Sequence, residues 1–272
     1  MASKGIVLIT GANTGIGYQT VKALASSSKT YTVLLGTRSL EKGKDAIEQL
    51  KSEVPDTKSE IVPIQIDIMD DASIEKCHKE VESKYGRVDA LINNAGAAHD
   101  PLMQQIPGPK GVRAAWQTSY DVNVTSTQVF TLAFIPLLLK SSNPRLLFVT
   151  SGLSSLTTCA GGRETAMLTS QHPPAGWPKP PAPSALTYRS SKTALNMLML
   201  DWHRILHNDG VKVWAISPGF LATGLGGIGK EKLKSMGAGD ASVGGTFITK
   251  VVEGERDADT GKVIRSDGVQ PW

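Results

Sequence analysis

Tyr188 and Lys192 are a pair of residues whose types and spacing suit proton transfer. They stand four positions apart in a stretch with helical apolar periodicity, so their side chains share one face of a helix. A free tyrosine hydroxyl has a pKa of about 10, and a neighbouring ammonium favours the phenolate. Tyr188 is therefore suited to give a proton to a carbonyl oxygen or to take one back. Because such pairs also occur by chance in helices, the interpretation needs support from the rest of the chain.

A glycine-rich turn follows the first apolar run of the sequence. Residues 10–17 read TGANTGIG, with glycines at positions 11, 15 and 17. Glycine permits the backbone angles of a tight turn and lets a pyrophosphate approach the main chain closely. A helix that begins near Gly15 would direct its free N–H groups and positive dipole end at that pyrophosphate. The segment therefore predicts a dinucleotide site, although a turn without a ligand can use the same glycines.

The end of the second apolar run bears on the choice between NAD and NADP. A carboxylate there would bind the adenosine ribose and repel a 2′-phosphate, but residues 36–39 read GTRS. Arg38 can pair with a phosphate, and the Ser39 hydroxyl can add a second donor. The alternative is a solvated surface arginine. Since no carboxylate occurs at 36–38, the sequence favours NADP(H).

Short β-branched runs alternate with amphipathic segments of helical length along the whole chain. This alternation predicts one doubly wound Rossmann domain over 1–272: a seven-stranded parallel sheet, order 3-2-1-4-5-6-7, with helices on both faces. Examples of predicted helices are Ile16–Ser27, Leu40–Ser52 and Asp71–Tyr85. The predicted strands are Gly5–Thr10, Tyr31–Thr37, Glu60–Asp67, Val88–Asn93, Arg145–Ser151, Val211–Ser217 and Gly261–Ser266.

Two segments break this alternation. Residues 152–187 carry six prolines between Pro173 and Pro183, which predicts a long non-helical surface insertion. Residues 219–239 are rich in glycine and predict a second loop. In a doubly wound sheet, long loops at the carboxyl ends of strands border the ligand. We therefore expect both segments to flank a substrate pocket, with apolar residues that either line it or pin the loops: Leu153, Leu156, Met167, Trp177, Phe220 and Leu225.

Together these motifs resemble the short-chain dehydrogenase/reductase family, and its carbonyl reductases in particular. The glycine spacing is G-x-x-x-G-x-G, NNAG occupies 93–96, Tyr188-x-x-x-Lys192 follows Ser151, and Pro218-Gly219 precedes Thr223. The resemblance spans nearly the whole chain. The 37-residue separation of Ser151 and Tyr188 exceeds that in many members but is similar to that in carbonyl reductases. Thr14 is a departure, because many NADPH-dependent members carry a basic residue there.

The resemblance implies a role for each matching position. Ser151 would polarise the substrate carbonyl, with Thr150 and Ser154 as alternatives if the strand ends elsewhere. Asn123 would hold a water that links Lys192 to solvent, and Asp67 would meet the adenine or simply cap a turn. Asn93 would lie beside a ribose and Thr223 near the nicotinamide. The implied cofactor-binding set is Gly11, Asn13, Thr14, Gly15, Ile16, Gly17, Arg38, Ser39, Asp67, Ile68, Asn93, Ala95, Gly96, Tyr188, Lys192, Pro218, Gly219 and Thr223.

Composition weighs against several other classes of protein. The 272 residues carry a net charge of +4 with no basic run, which argues against a nucleic-acid partner. Cys77 and Cys159 offer no disulfide framework, and the five histidines form no metal-ligand pattern. The longest apolar stretch, Val129–Leu139, is too short to cross a membrane, and we expect no signal peptide. The expected location is the cytoplasm.

The sequence thus predicts an NADPH-dependent oxidoreductase that reduces a ketone or aldehyde, with Tyr188 as the general acid. Alcohol oxidation or C=N reduction on the same scaffold is the nearest alternative. A non-catalytic NADP(H) sensor is a third, although Ser151, Tyr188 and Lys192 are all present. A monomer is favoured over a homodimer, since the insertion before the second long helix would cover the surface that many relatives use for assembly.

Overall fold

The computed structural model describes residues 4–161, 172–179 and 185–272. Eight strands form one sheet in the order β3-β2-β1-β4-β5-β6-β7-β8, and the first seven are parallel. The strands are β1 Gly5–Ile9, β2 Tyr31–Thr37, β3 Glu60–Gln65, β4 Ala90–Asn93, β5 Arg145–Val149, β6 Lys212–Ile216, β7 Val263–Arg265 and β8 Gly268–Val269. The predicted order is confirmed; the short β8, antiparallel to β7, was not predicted because two residues carry no readable periodicity.

Helices cover both faces of this sheet, as predicted. Alternate residues of β1 show the arrangement: Leu8 lies in the core cluster on one face of the sheet, whereas Ile9 lies in the core cluster on the other face. Both are fully buried, as expected for a parallel strand covered on two faces. The helices are α1 Gly15–Ala25, α2 Leu40–Glu53, α3 Asp71–Tyr85, α4 Leu102–Gln105, α5 Pro109–Tyr120, α6 Ser126–Leu138, α7 Leu156–Ala160, α8 Leu186–Ile205, α9 Lys230–Ser235 and α10 Ala241–Glu253.

The helix between β4 and β5 contains a π-turn. Helices α5 and α6 are joined without a break by the π-helical residues Asp121–Thr125, so one long helix runs from Pro109 to Leu138. Single π-turns within α-helices are frequent at functional sites. Asn123 lies at the centre of this turn, so a residue that the resemblance singled out coincides with the irregularity.

The two predicted loops carry more helix than expected. The prediction that 152–187 contains no regular helix is wrong for α7 and for Leu186, where α8 begins; the prolines restrict only the segment after Pro173. Pro180, Pro181, Pro183 and Met167 lie outside the described residues. The second loop contains α9, and backbone hydrogen bonds join its base, from Ala222 to Gly239 and from Gly239 to Phe220. Among the described residues, none of the helices is long and apolar enough to cross a membrane.

Candidate active site

A cleft of about 970 Å³ opens at the carboxyl ends of the strands and extends from Arg38 to Tyr188. This is where a doubly wound sheet binds its ligands. The predicted site residues that line it are Gly11, Asn13, Thr14, Gly15, Ile16, Arg38, Asp67, Ile68, Ala95, Gly96, Ser151, Tyr188, Lys192, Pro218, Gly219 and Thr223. Gly17, Ser39, Asn93 and Asn123 are not among the lining residues.

The glycine turn has the shape that a pyrophosphate needs. Gly11 and Gly15 have φ values of 62° and 57°, in the left-handed region that glycine tolerates best. Gly17 faces inward, where an added Cβ would come within 2.5 Å of the Gly11 carbonyl oxygen. Thr14 caps α1 without a side-chain hydrogen bond, so its first N–H groups are available to a ligand. These residues fit a dinucleotide.

The residues expected to discriminate between cofactors lie at or near the far end of the cleft. Arg38 is exposed, and within the described ranges its guanidinium has no hydrogen-bond or ion-pair partner. Ser39 lies outside the lining because it caps α2, where its hydroxyl oxygen accepts the N–H of Lys42 at 3.3 Å. Asp67 lines the cleft and accepts the N–H of Met69 at 3.1 Å through one oxygen. Asp67 therefore caps a turn, which is the simpler of its two predicted roles. Its contact with the adenine stays a prediction.

Asn93 is the residue expected beside the cofactor ribose, but it is not among the residues that line the cleft. It is buried and donates through its amide to Thr131 of α6 at 2.9 Å. Its neighbour Asn94 lines the cleft and donates to the carbonyl oxygens of Thr10 and Gly11, at 2.8 and 3.1 Å. Successive side chains along an extended segment point to opposite faces, so Asn94 faces the cleft and Asn93 does not. Asn94 supports the glycine turn from below.

Tyr188 and Lys192 lie in the first turns of α8, and both face the cleft. The Lys192 Nζ atom donates to the Val149 carbonyl oxygen at 2.8 Å and lies 5.9 Å from the centre of the Tyr188 ring. Ser151 follows β5 by two residues, and its hydroxyl is close enough to the Tyr188 phenol to lower the pKa of that phenol. The strand and the helix thus bring a hydroxyl, a phenol and an amine to one place.

Burial governs the protonation of this group. It raises the pKa of Tyr188 to about 12, and the nearby Ser151 hydroxyl opposes this only in part. Burial also lowers the pKa of Lys192 to about 8. Desolvation is the largest effect on the phenol, so the lowering of its pKa expected from Lys192 is not met by the protein's own groups. Tyr188 is held as the neutral phenol, the form that donates a proton.

Asn123 connects the two sides of the site instead of lining it. Its side-chain amide accepts the N–H of Ala97 at 3.0 Å and donates to the Ala97 carbonyl at 2.8 Å. It also donates to the Ser191 hydroxyl at 3.0 Å. An added Cβ on Gly96 would lie 2.8 Å from Asn123 Oδ1 and 3.1 Å from Lys192 Nζ. The π-turn therefore fixes the loop after β4 against α8 at the position of Lys192.

A buried polar network beneath Ser151 was missed from the sequence. The Thr150 hydroxyl donates to Asn196 at 2.7 Å, and the Ser154 hydroxyl donates to the Ser151 carbonyl at 2.6 Å. Gln270, at the end of the chain, donates to the same carbonyl at 3.2 Å. Thr150 and Ser154, the alternatives to Ser151, are therefore supports of the strand end. No local spacing could indicate Gln270, which is 119 positions from Ser151.

The apolar residues expected around the substrate divide into two groups. Leu153, Phe220 and Leu225 line the cleft. Leu156 and Trp177 are not among its lining residues and are 62% and 87% exposed. Within the described parts of the chain, no group of three His, Cys, Asp or Glu side chains could hold a metal ion.

Three comparisons with known proteins place this chain. The family model described as short chain dehydrogenase matches residues 5–162. Short-chain dehydrogenase/reductase tropE of Talaromyces stipitatus is 45% identical over 273 residues, which cover 100% of this chain and 99% of the relative. An NADPH-bound carbonyl reductase from chicken fatty liver shares the fold at a TM-score of 0.76, with 24% identity and 99% of both chains covered. A 3-oxoacyl-[acyl-carrier protein] reductase from Brucella melitensis, in complex with NAD, has a TM-score of 0.72 and 19% identity, with 97% and 96% covered.

Proposed function

This chain belongs to the short-chain dehydrogenase/reductase family of oxidoreductases, and on that premise we propose that it reduces a ketone or aldehyde to an alcohol with NADPH. The observation that carries the proposal is the meeting of Ser151, Tyr188 and Lys192 at one end of a cleft whose other end is the glycine turn. The family binds a nicotinamide cofactor, and the turn fits one. We propose further that residues 1–272 form one domain.

Each of the three residues has a separate task in this proposal. The Ser151 hydroxyl donates a hydrogen bond to the carbonyl oxygen and so makes the carbonyl carbon more electrophilic. As a hydride reaches that carbon, the C=O π electrons take the Tyr188 proton, and an alcohol forms. Lys192, when protonated, stabilises the phenolate left behind, and solvent restores the proton. When bound, NADPH would supply the hydride and leave as NADP⁺.

The choice of NADPH depends on Arg38. Its guanidinium is exposed at the cleft edge and has no partner within the described residues, so it is available to a 2′-phosphate. Ser39 accepts a hydrogen bond as the cap of α2, which leaves its O–H proton to donate to the same phosphate. The adenine contact of Asp67 and the nicotinamide contact of Thr223 belong to the same proposal.

Two other functions are weighed against this one. Alcohol oxidation or C=N reduction would use the same residues, and assays with alcohols and imines would distinguish these reactions from C=O reduction. A non-catalytic NADP(H) sensor would need none of Ser151, Tyr188 and Lys192, whereas all three line the cleft. Reduction of a C=O bond is therefore favoured over a sensor. A monomer and a cytoplasmic location remain predictions; light scattering over a range of protein concentrations would test the first.

The test of this function is NADPH oxidation, followed by its absorbance, over a panel of aryl ketones, quinones, diketones and aldehydes. The same panel with NADH runs in parallel. We expect turnover of at least one class and a higher kcat/KM with NADPH. Tight NADPH binding without turnover of any carbonyl would favour the sensor, and equal rates with NADH would contradict the role of Arg38.

A further inference from the structure

Two buried polar atoms in the floor of the cleft have no hydrogen-bond partner within the part of the chain that the structure describes. They are the Ser217 hydroxyl, at the end of β6, and the Gln270 side-chain oxygen, after β8. Both residues line the cleft, and they are only 1% and 3% exposed. An unpaired polar group that is buried is costly, and native proteins normally satisfy it with protein, water or ligand. Something that binds here is therefore expected to pair with them.

The orientation of the Gln270 amide is fixed by its neighbours. Its nitrogen donates to the Ser151 carbonyl at 3.2 Å and to the Ser154 hydroxyl at 3.1 Å. A carbonyl can only accept, so the amide cannot turn round, and its oxygen is the atom that remains free. The backbone N–H of Gln270 donates to the Val263 carbonyl at 2.8 Å, which ties the segment to β7. Gln270 is thus a fixed acceptor in the cleft.

Gly152 leaves the space that both free atoms face. A Cβ built on Gly152 would lie 3.7 Å from Ser217 Oγ and 4.0 Å from Gln270 Oε1, with no nearer contact. The two atoms therefore border one small space, directly beside Ser151. A group that can both accept from Ser217 and donate to Gln270 suits this space. A hydroxyl does so, whereas an ether or a bare C–H does not.

We propose that Ser217 and Gln270 form a polar subsite that binds a hydroxyl group of the carbonyl substrate. The inference rests on the proposed function, because Ser151 is taken as the residue that polarises the carbonyl. Gly152 is next to Ser151 in the chain, so the hydroxyl lies close to the reacting carbonyl. A site built to bind a hydroxyl rejects the analogue that lacks it, because its own polar groups are then left unpaired. Hydroxylated carbonyl compounds are thus preferred.

The test compares matched substrates. Acetophenone and benzaldehyde are assayed beside their 2-, 3- and 4-hydroxy isomers and the corresponding methoxy ethers, which have lost the donor. The readout is the ratio of kcat/KM for each hydroxy isomer to that of its parent, together with the KM for NADPH. We expect a ratio of roughly tenfold or more for at least one isomer of the wild type, and no such gain for its ether.

Three variants and one control identify the subsite. Ser217→Ala and Gln270→Met each remove one of the free atoms and should reduce the ratio at least fivefold. Gly152→Ala, at a position without positive φ, should do the same by filling the space. Thr249→Val is the control, because Thr249 is also a buried residue whose hydroxyl has no partner among the described residues, but it lies on α10 outside the lining of the cleft. Its ratio should equal that of the wild type.

The outcomes separate this inference from the proposed function. No preference in the wild type, or a preference that survives Ser217→Ala and Gln270→Met, overturns the subsite and leaves the reductase standing. A rise in the KM for NADPH that is equal for all substrates would assign the two atoms to the carboxamide of the cofactor and overturn the substrate assignment. No NADPH oxidation with any carbonyl would overturn the proposed function, and the inference with it.

Discussion

The carboxylate of Asp100 accepts a hydrogen bond from the backbone N–H of Tyr188 at 3.2 Å, across 88 positions of the chain. Its other oxygen accepts the N–H of Thr187 at 2.8 Å. Helix α8 has no capping side chain at Ala185, so a residue from the loop after β4 satisfies the helix terminus instead. Asp100 is 8% exposed. This contact sets where the helix that carries the candidate acid begins.

Asp100→Ala should therefore affect both stability and activity. Loss of a cap lowers the free energy of unfolding by about 1–2 kcal/mol, and displacement of Tyr188 should lower kcat more than it raises KM. Asp70→Ala is the matched control, because Asp70 caps α3 through the N–H of Ala72 and is not among the residues that line the cleft. Denaturant unfolding and steady-state kinetics are measured on both. Equal loss of kcat in the two variants would mean that Asp100 only stabilises the fold.

The stability of the protein should depend on Lys192 in the alkaline range. Burial lowers its pKa from 10.5 to about 8, so between these values the unfolded chain holds a proton that the folded chain has lost. The free energy of unfolding must then rise with pH, and the cost of the buried charge is fully present below pH 8. Relative to Lys192→Met, the wild type should gain up to about 3 kcal/mol between pH 8 and 10.5.

Denaturant unfolding of the two proteins across that range checks this expectation. Lys79→Met, at an exposed lysine on α3, serves as the control and should run parallel to the wild type. Parallel curves for Lys192→Met as well would show that Lys192 is not desolvated as the structure indicates.

The loss of the Lys192 charge above pH 8 should also lower kcat for reduction, because the phenolate would lose its neighbouring cation.

Arg38→Asp should change the choice of cofactor. If the guanidinium binds a 2′-phosphate, the variant should raise the KM for NADPH roughly 10- to 100-fold, the equivalent of one lost charge-assisted hydrogen bond. The KM for NADH should change far less, since NADH lacks that phosphate. Arg113→Asp, at an exposed arginine on α5, controls for net charge. An unchanged ratio of the two KM values would remove Arg38 from the phosphate site.

Gly96→Ala should disable the site through contact with Lys192. The added methyl would come within 3.1 Å of the Lys192 amine and 2.8 Å of Asn123 Oδ1, so the amine or the π-turn must move. We expect kcat to fall at least tenfold with little loss of folded protein. Gly239→Ala adds a methyl at an ordinary 3.4 Å from Leu221 and should keep kcat near that of the wild type. Similar kinetics for the two variants would contradict a tight fit at Gly96.

The sheet and much of the cleft could be predicted because the signals were local. Apolar runs gave the strands, and the glycine turn gave the end of β1. Asn93 shows the limit of such local signals. An asparagine at the end of this strand was predicted for the site, but a difference of one position decides which face a side chain occupies. Asp100 and Gln270 act across 88 and 119 positions, where no pattern along the chain connects the partners. The direction in which the pKa of Tyr188 shifts depends on the burial of its side chain, which becomes known only from the fold.

Removal of the Tyr188 hydroxyl is the most direct test of the account. Tyr188→Phe keeps the ring, and Tyr31→Phe, at another buried tyrosine whose hydroxyl donates to Glu253 at 3.5 Å, is the control. The measurement is single-turnover NADPH oxidation with the carbonyl that the wild type reduces best, beside the Kd for NADPH. We predict a rate reduced by roughly 10²- to 10⁴-fold in Tyr188→Phe alone, with the Kd within about threefold of the wild type. A Tyr188→Phe enzyme that turns over within a few-fold of the wild type would contradict the assignment of Tyr188 as the general acid.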